Sequence, residues 1–410
     1  MTAPLEGLRV IDFSRVLAGP HCAKNLLDLG AEVIKVEPPS GDLSRHAFPK
    51  VGEISGYYAQ QNSGKRNLSI DLKVPGARDV VLRLCDSADV IVENFRPGTL
   101  ASFGLDYACV AARNPAVVYA SISGYGQRGP WASRMAYAPT VQAETGFTHN
   151  TTRQFGGTGL TGPNRLRTDA LSHADVYSGL HATIAILAAL RHRAQTGEGQ
   201  YIDVAMAAVM MSVNERVHAD LSEEDLGAER PILGAHDAPF FVSPQGATFV
   251  SPMSLVGSLT FPFYLSAMRR PDLADDPRFG TPELREQNYA ALHGIVQTWI
   301  WTFDDMASLD AQFDEAKIAT GQVREIGELA DSDWAGQWGA TREVSDRSGG
   351  RIRIPGAPWH FSADTAERPS QHPATQGEHN AEILKELGFD DATITDLVAR
   401  AALVQPSRLG

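Results

Sequence analysis

The stretch LRVIDFSRVLAGPHCAKNLLDLGAEVIKVEPP, residues 8–39, decides the fold. LRVIDFS is a short, mostly apolar run and predicts a buried strand. Gly19 and Pro20 then open a helix carrying Leu26, Leu27 and Leu29, since proline is at home in a first helical turn. AEVIKVEPP predicts a second strand, stopped by Pro38 and Pro39, which lack the N–H a sheet ladder needs. The alternation continues: VPGARDVVLRLCDSA predicts a helix, DVIVENF a strand, and PAVVYASISGYG a strand that stops at glycine. Short apolar strands separated by helices define an α/β fold around a parallel sheet. The ends of such strands face the ligand crevice, so residues 14–20, Asn94 with Phe95, and residues 124–129 are candidate binding loops. No G-x-G-x-x-G follows the first strand, so the dinucleotide fingerprint is missing.

A second stretch carries the chemistry. Asp175 precedes VYSGLHATIAILAALRHRAQ, in which Val176, Leu180, Ile184, Leu187 and Leu190 recur at helical spacing. Arg191, His192 and Arg193 fall in the last turn, and Gly197 and Gly199 end it. Asp175 therefore lies at or just before the start of a helix, where free N–H groups and the dipole favour an ionised carboxylate. The residues alone leave two roles open, an ordinary N-cap and a nucleophile.

Length and composition narrow the function. At 410 residues the chain has room for two or three domains, and 43% hydrophobic content supports a full core. A net charge of −13 argues against a nucleic-acid footprint, which needs a clustered basic face. Cys22, Cys85 and Cys109 are sparse and unpaired in spacing, which points to reduced thiols and a cytoplasmic home. No signal peptide is visible, and the longest apolar stretch, residues 182–190, is too short for a bilayer. His173, His181 and His192 show no ligand spacing, so no metal is expected. Neither Ser123 nor Ser178 sits in G-x-S-x-G, and there is no P-loop, which removes the common hydrolase readings. Residues 147–168 read as a long Gly/Thr/Asn-rich loop, and the pattern changes again from about residue 236. The expected organisation is a large α/β domain over 1–206, a linker over 207–235, a smaller α+β domain over 236–325, and a return segment over 326–410 that completes the large domain.

Several motifs taken in order resemble one family, the class III CoA transferases (CaiB/BaiF family), with the related α-methylacyl-CoA racemases. They are PLEGLRVIDFSRVLAGP (4–20), LGAEVIKVEPPSGD (29–42), NSGKRNLSIDLK (62–73), ADVIVENFRPG (88–98), SGYGQRGP (123–130), ADVYSGLHA with TGEGQYIDVAM, then RRPDLADDPRF, REQNY and HNAEILKELGF. The resemblance implies a Rossmann-like large domain, an interlocked homodimer, and coenzyme A bound as a thioester substrate beside a carboxylic acid acceptor. It implies that Asp175 attacks the thioester and passes through an acyl anhydride and an aspartyl-CoA thioester. It further implies CoA contacts at Val16 and Ala18, at Asp71, Leu72 and Lys73, at Asn94 and Phe95, and at Tyr137. Arg15, Lys65 and Arg66 are candidate partners for the CoA phosphates.

Two departures and one alternative qualify this reading. Formyl-CoA transferase carries a glutamine where this chain has Leu17, and its glycine-rich active-site loop has no counterpart in APFFVSPQGATF. Both point away from oxalate or formate, and Leu17 suits a longer, more apolar acyl group. The racemase motif has a Gly-His-Asp run after the SGYGQxGP loop. Here its histidine becomes Tyr137 and its aspartate Ala138, and tyrosine, with a pKa near 10, is a poor proton shuttle at neutral pH. Transferase is therefore favoured over 2-methylacyl-CoA racemase and over a non-catalytic CoA-binding relative.

Overall fold

The computed structural model describes residues 3–155, 168–215, 217–222, 238–345, 349–363 and 372–405. The chain folds into two compact units, one of residues 1–215 with 333–410 and one of residues 216–332.

The larger unit opens with β1 (Arg9–Asp12), α1 (Ala18–Asp28) and β2 (Glu32–Glu37), the unit expected from the opening stretch. A small antiparallel pair, β3 (Lys50–Val51) and β4 (Ile54–Ser55), leads into α2 (Gly56–Asn62) and β5 (Arg66–Ser69). Then come α3 (Ala77–Asp86), β6 (Val90–Glu93), α4 (Tyr107–Ala111) and β7 (Val118–Ser123). Helices α5 (Ala138–Glu144), α6 (Phe147–Phe155) and α7 (His173–Thr196) precede β8 (Gln200–Ala205) and α8 (Met206–Ser212).

The six long strands form one sheet in the order β5-β2-β1-β6-β7-β8, and every neighbouring pair is parallel. Its two faces are covered by different cores. On one, Ile11, Ile34, Leu68 and Ile91 pack with α3 and the C-terminal helices; on the other, Val10, Val33, Val90 and Val118 pack with α1, α5, α7 and α8. A sheet buried on both faces is why these strands read as apolar runs. The order reverses between β1 and β6, and in open α/β sheets ligands bind outside the strand C-termini at such a switch point.

The chain returns to this unit to close the edge at β5. The hairpin of strands Thr341–Ser345 and Arg351–Pro355 packs its Val344, Ile352 and Ile354 on Ala59 of α2. Asn380, at the start of the helix Asn380–Glu386, accepts the Ser69 N–H at 2.8 Å, and His379 N donates to Asn67 O at 3.1 Å. These contacts occupy donors and acceptors that an open edge would leave to other chains.

The smaller unit has its own core. Strands Phe240–Val242 and Thr248–Val250 form the hairpin expected from APFFVSPQGATFVSP, with Gly321–Gln322 as a third antiparallel strand. Phe241, Phe249, Tyr264, Phe279 and Phe313 fill its centre.

Three expectations are corrected. Residues 147–155 are helix α6 rather than loop, while 156–167 lie outside the described residues. The stretch from 207, expected as linker, begins as α8, whose Val209 and Met210 are buried in the large unit; residues 223–237 lie outside the described residues. The middle of the apolar stripe of α7 faces outward: Leu180 is 38% exposed, Ile184 63% and Leu187 36%, while Leu190 is buried as expected and Ala174, Gly179, Ala182, Ile186 and Ala189 pack inward. The inner face is small because α7 lies against α1 at backbone distance. A Cβ on Gly179 would come 2.6 Å from the Ala18 carbonyl oxygen.

Candidate active site

The loop after β1 is held by four buried charges. Asp12 ends β1, fully buried, and accepts the Ser14 N–H at 2.9 Å and the Ser14 hydroxyl. Lys65 Nζ reaches Asp12 Oδ2 at 2.8 Å and the Pro20 carbonyl at 3.0 Å. Lys35 Nζ reaches Asp42 Oδ2 at 3.0 Å and the Ser14 carbonyl at 2.8 Å. Burial alone would raise the Asp12 carboxyl, but Lys65 and Lys35 hold it below its ordinary value; Asp42, against the same burial, is drawn to about 2 by Lys35 and Ser44.

Asp42 accepts the Val16 N–H with both oxygens, at 3.1 and 3.2 Å. Val16 has φ of 65°, a left-handed conformation that a β-branched residue adopts only where its surroundings impose it. Arg15 N donates to Asn94 Oδ1 and Asn94 Nδ2 returns to the Arg15 carbonyl, both at 2.9 Å, which closes the switch point between β1 and β6.

The other sequence candidates fall on the same edge of the sheet. Phe95 N donates to Glu93 Oε2 at 2.8 Å, and burial pushes the Glu93 carboxyl up to about 7. Phe95 and Leu72 both pack against the core on the α3 side, so each is at least partly a packing residue. Asp71, two residues beyond β5, accepts the Lys73 N–H at 3.0 Å, and the Lys73 side chain is exposed. Ala18 is buried and Val16 half-buried. Tyr137 precedes α5 and is 55% exposed; its neighbour Ala136 would meet a Cβ on Gly124, which fixes that segment against the end of β7.

Two of the basic candidates are occupied elsewhere. Lys65 is buried on Asp12, and Arg66 stands at the opposite end of the sheet, paired with Glu32 at 2.6 Å and Glu386 at 2.8 Å. Neither is free to bind a phosphate. Arg15 remains exposed, its guanidinium 5.7 Å from the Phe95 ring centroid. Leu17 is buried and offers little apolar surface to an acyl chain, which removes the argument for a longer acyl group.

Asp175 is the third residue of α7, whose N-cap is Ser172. It is therefore inside the first turn and is not the cap, and among the described residues its carboxylate has neither an ion-pair nor a hydrogen-bond partner. Burial pushes it up to about 6. The register between α1 and α7 locates it. Ala18 and His21 meet Gly179, while Asn25 Nδ2 reaches Thr183 Oγ1 at 3.5 Å, so the two helices run parallel. Asp175, one turn before Gly179, then lies level with the loop that precedes α1.

Tyr57 on α2 belongs to the same place, because burial and the charges of Asp175 and Asp42 together raise its hydroxyl to about 12. The sequence reading missed Tyr57, along with Lys35 and Asp42. For Lys35 a signal existed: a lone charge inside an apolar strand marks a buried ion pair. Among the described residues no group of three or more His, Cys, Asp or Glu is placed to hold a metal ion, and no helix is long and apolar enough to cross a membrane.

A carboxylate with no counter-ion among the described residues, in the first turn of a long helix, at the switch point of a doubly wound sheet, has the arrangement of a covalent catalyst. The model of CoA-transferase family III matches residues 5–380, and the chain belongs to that family. It is 32% identical over 406 residues to the succinate–glutarate CoA-transferase of Agrobacterium fabrum, covering 96% of this chain and 98% of that one. It is 33% identical over 402 residues to the acetyl-CoA:oxalate CoA-transferase of Acetobacter aceti, covering 95% and 97%. A CaiB/BaiF family protein from Brucella suis superposes with a TM-score of 0.74 at 30% identity, over 94% of this chain and all of that one. This chain is a class III CoA transferase, an enzyme whose substrates are an acyl-CoA thioester and a carboxylic acid.

Proposed function

We propose that Asp175 is the nucleophile that carries CoA from the thioester to the acceptor. One Asp175 oxygen attacks the thioester carbonyl and expels the CoA thiolate, leaving a mixed anhydride. The thiolate attacks the aspartyl carbonyl, releasing the first acid as its carboxylate and forming an aspartyl-CoA thioester. The acceptor carboxylate attacks that carbonyl and expels the thiolate again, leaving a second mixed anhydride; the thiolate attacks its acceptor-derived carbonyl, forming the new acyl-CoA and releasing Asp175 as its carboxylate. The observation that carries this reading is the Asp175 carboxylate, unpartnered among the described residues: a structural carboxylate would be capped or paired. The loop of Val16 and Ala18, with Asn94 at the switch point, lies beside it and supports a CoA site there. Asp71, Leu72, Lys73, Phe95 and Tyr137 are proposed to extend that site. The exposed stripe of Leu180, Ile184 and Leu187 supports a homodimer, with the family's interlocked form as the proposed arrangement. Three free thiols fit a cytoplasmic location.

The test is a screen of acyl-CoA donors against free acids, in D₂O, read by mass spectrometry. New thioesters form only when an acid is added, and recovered donor carries no deuterium at Cα. Deuterium uptake without an acid, at a rate comparable to turnover, would transfer Asp175 to a racemase mechanism.

The raised carboxyl also predicts a pH signature. Asp175 attacks as its anion, so kcat/KM falls about tenfold per unit below about pH 6. For stability the sign is opposite. The folded value near 6 exceeds the ordinary 3.8, so folding favours the protonated form and the anion costs stability above pH 6. Asp175→Asn should therefore raise Tm at pH 7.5, with the gain shrinking as pH falls through 6 toward 4. An unchanged Tm would mean the carboxylate is better solvated than the fold implies.

A further inference from the structure

A buried carboxyl that the transfer chemistry does not use stands behind Phe95. Glu93 ends β6 and is 6% exposed. Its Oε2 accepts the Phe95 N–H at 2.8 Å, so the side chain fixes the backbone just beyond the strand. Phe95 in turn lines a cavity with Arg15, Gly41, Asp42 and Leu43, at the switch point of the sheet. Sheet register places Glu93 opposite Ser121 of β7, and Ser121 opposite Asp203 of β8. The three residues therefore stand in one row on one face, with about 4.8 Å between neighbouring strands. Asp203 holds the next loop in the same manner, accepting the Gln127 N–H at 2.9 Å. Two carboxyl groups in one row thus each anchor one loop of the ligand-binding edge.

The surroundings of Glu93 favour a proton on it. Among the described residues no cation pairs with it. Two residues earlier in the register, on the same face, stand Tyr119 and Tyr201, and Tyr107 of α4 packs on both rings, at 6.1 and 5.3 Å. The Tyr119 hydroxyl donates to the Leu105 carbonyl at 2.9 Å. Arg15 lies over the Phe95 ring, and Arg128 acts on Tyr201. Burial pushes the Glu93 carboxyl up to about 7; Asp203 adds to the rise, while Ser121 and the Phe95 N–H oppose it. A neutral carboxylic acid keeps an oxygen that accepts, so the bond to Phe95 survives protonation. A ligand bearing phosphates brings more negative charge to this edge, and like charge nearby disfavours the carboxylate. Ligand binding and protonation of Glu93 then reinforce each other, because linkage between two binding events is reciprocal.

We propose that Glu93 is a positioning residue for CoA, holding Phe95 through its backbone N–H and taking up a proton from solvent as the anionic ligand docks. This rests on the reading of Phe95 as a CoA contact, and one arm of the experiment tests that contact separately. Binding of free CoA is measured by titration calorimetry at pH 7.5 in buffers of different ionisation enthalpy, which counts the protons exchanged per CoA. Protons exchanged by the phosphates of CoA are common to all variants and cancel in the comparison. Glu93→Gln keeps an acceptor for Phe95 but cannot titrate, and is expected to take up at least about 0.3 proton fewer per CoA than wild type. Between pH 6.5 and 8.5 the wild-type Kd rises about threefold or more relative to that of Glu93→Gln. Glu93→Ala, which removes the acceptor, weakens CoA binding about fivefold or more, and Gln at this position recovers most of that loss. A purely structural role lowers Tm in both variants and leaves the proton count equal to that of wild type. That result overturns the inference, as does CoA bound by Glu93→Ala as tightly as by wild type. Phe95→Ala that binds CoA as wild type does withdraws the contact itself, and the inference with it; a weakened Phe95→Ala together with equal proton counts withdraws the inference alone.

Discussion

Asp175→Ala is expected to lower CoA exchange by at least about 10⁴-fold, in the range seen when a covalent nucleophile is removed. The affinity for CoA itself should stay within a few fold, because the side chain makes no hydrogen bond or ion pair with the loops proposed to hold the nucleotide. Fold stability should not suffer, since the replaced group is a partly buried anion with no partner among the described residues. The split between lost turnover and retained binding is the diagnostic, measured by initial rates and by titration calorimetry with CoA. A variant that keeps near-wild-type turnover removes Asp175 from the chemistry.

Lys65→Met should produce the largest loss of stability. It strips the counter-ion from Asp12, which is fully buried, and removes the donor to the Pro20 carbonyl at the start of α1. Breaking a buried pair from one side typically costs about 3–5 kcal/mol. In a unit of this size each kcal/mol moves Tm by roughly 2–4 °C, so a fall on the order of 10 °C is expected by thermal denaturation. Activity should fall as well, because the same network presses Val16 into its left-handed conformation through Asp42. Adding Asp12→Asn should recover part of the Tm, as the unpaired charge is then gone. If Lys65→Met melts within about 2 °C of wild type, the network does not support the loop as the distances indicate.

The parts of the fold that were legible are those where burial on two faces left an apolar record. β1, β2, β6 and β7 are read directly, because a strand covered on both sides must be hydrophobic throughout. β5 is the sequence RNLS, polar enough to hide as a loop; it becomes a strand by pairing in parallel with β2, and the returning chain hydrogen-bonds its outer edge. The α7 stripe is inverted at its middle, although Leu190 at its end is buried as expected. Periodicity counts large apolar residues, but close contact with α1 selects small ones, so the inner face is mostly Ala, Gly, Ser and Thr beside Ile186 and Leu190, while Leu180, Ile184 and Leu187 remain outside. α6 was hidden by Thr and Asn, which are weak helix formers, in a segment whose helix depends on packing against α5.

At the site, the position of Asp175 in a first helical turn was legible from the caps and glycines around α7. The neighbours that give the site its shape were not. Tyr57 approaches Asp175 from α2, and His21 of α1 meets α7 at Gly179, one turn further on; no local pattern records which helices will lie side by side. Lys65 and Arg66 illustrate the converse: basic residues in a matching motif invite a phosphate, yet both are consumed by carboxylates of the chain itself.

The most direct measurement is the intact mass of the protein after brief incubation with acyl-CoA and no acceptor acid, followed by peptide mapping. The account predicts a covalent CoA adduct on Asp175 that hydroxylamine removes and that an added carboxylic acid discharges as a new acyl-CoA. Turnover with no adduct on Asp175, or with the adduct on another residue, would contradict it.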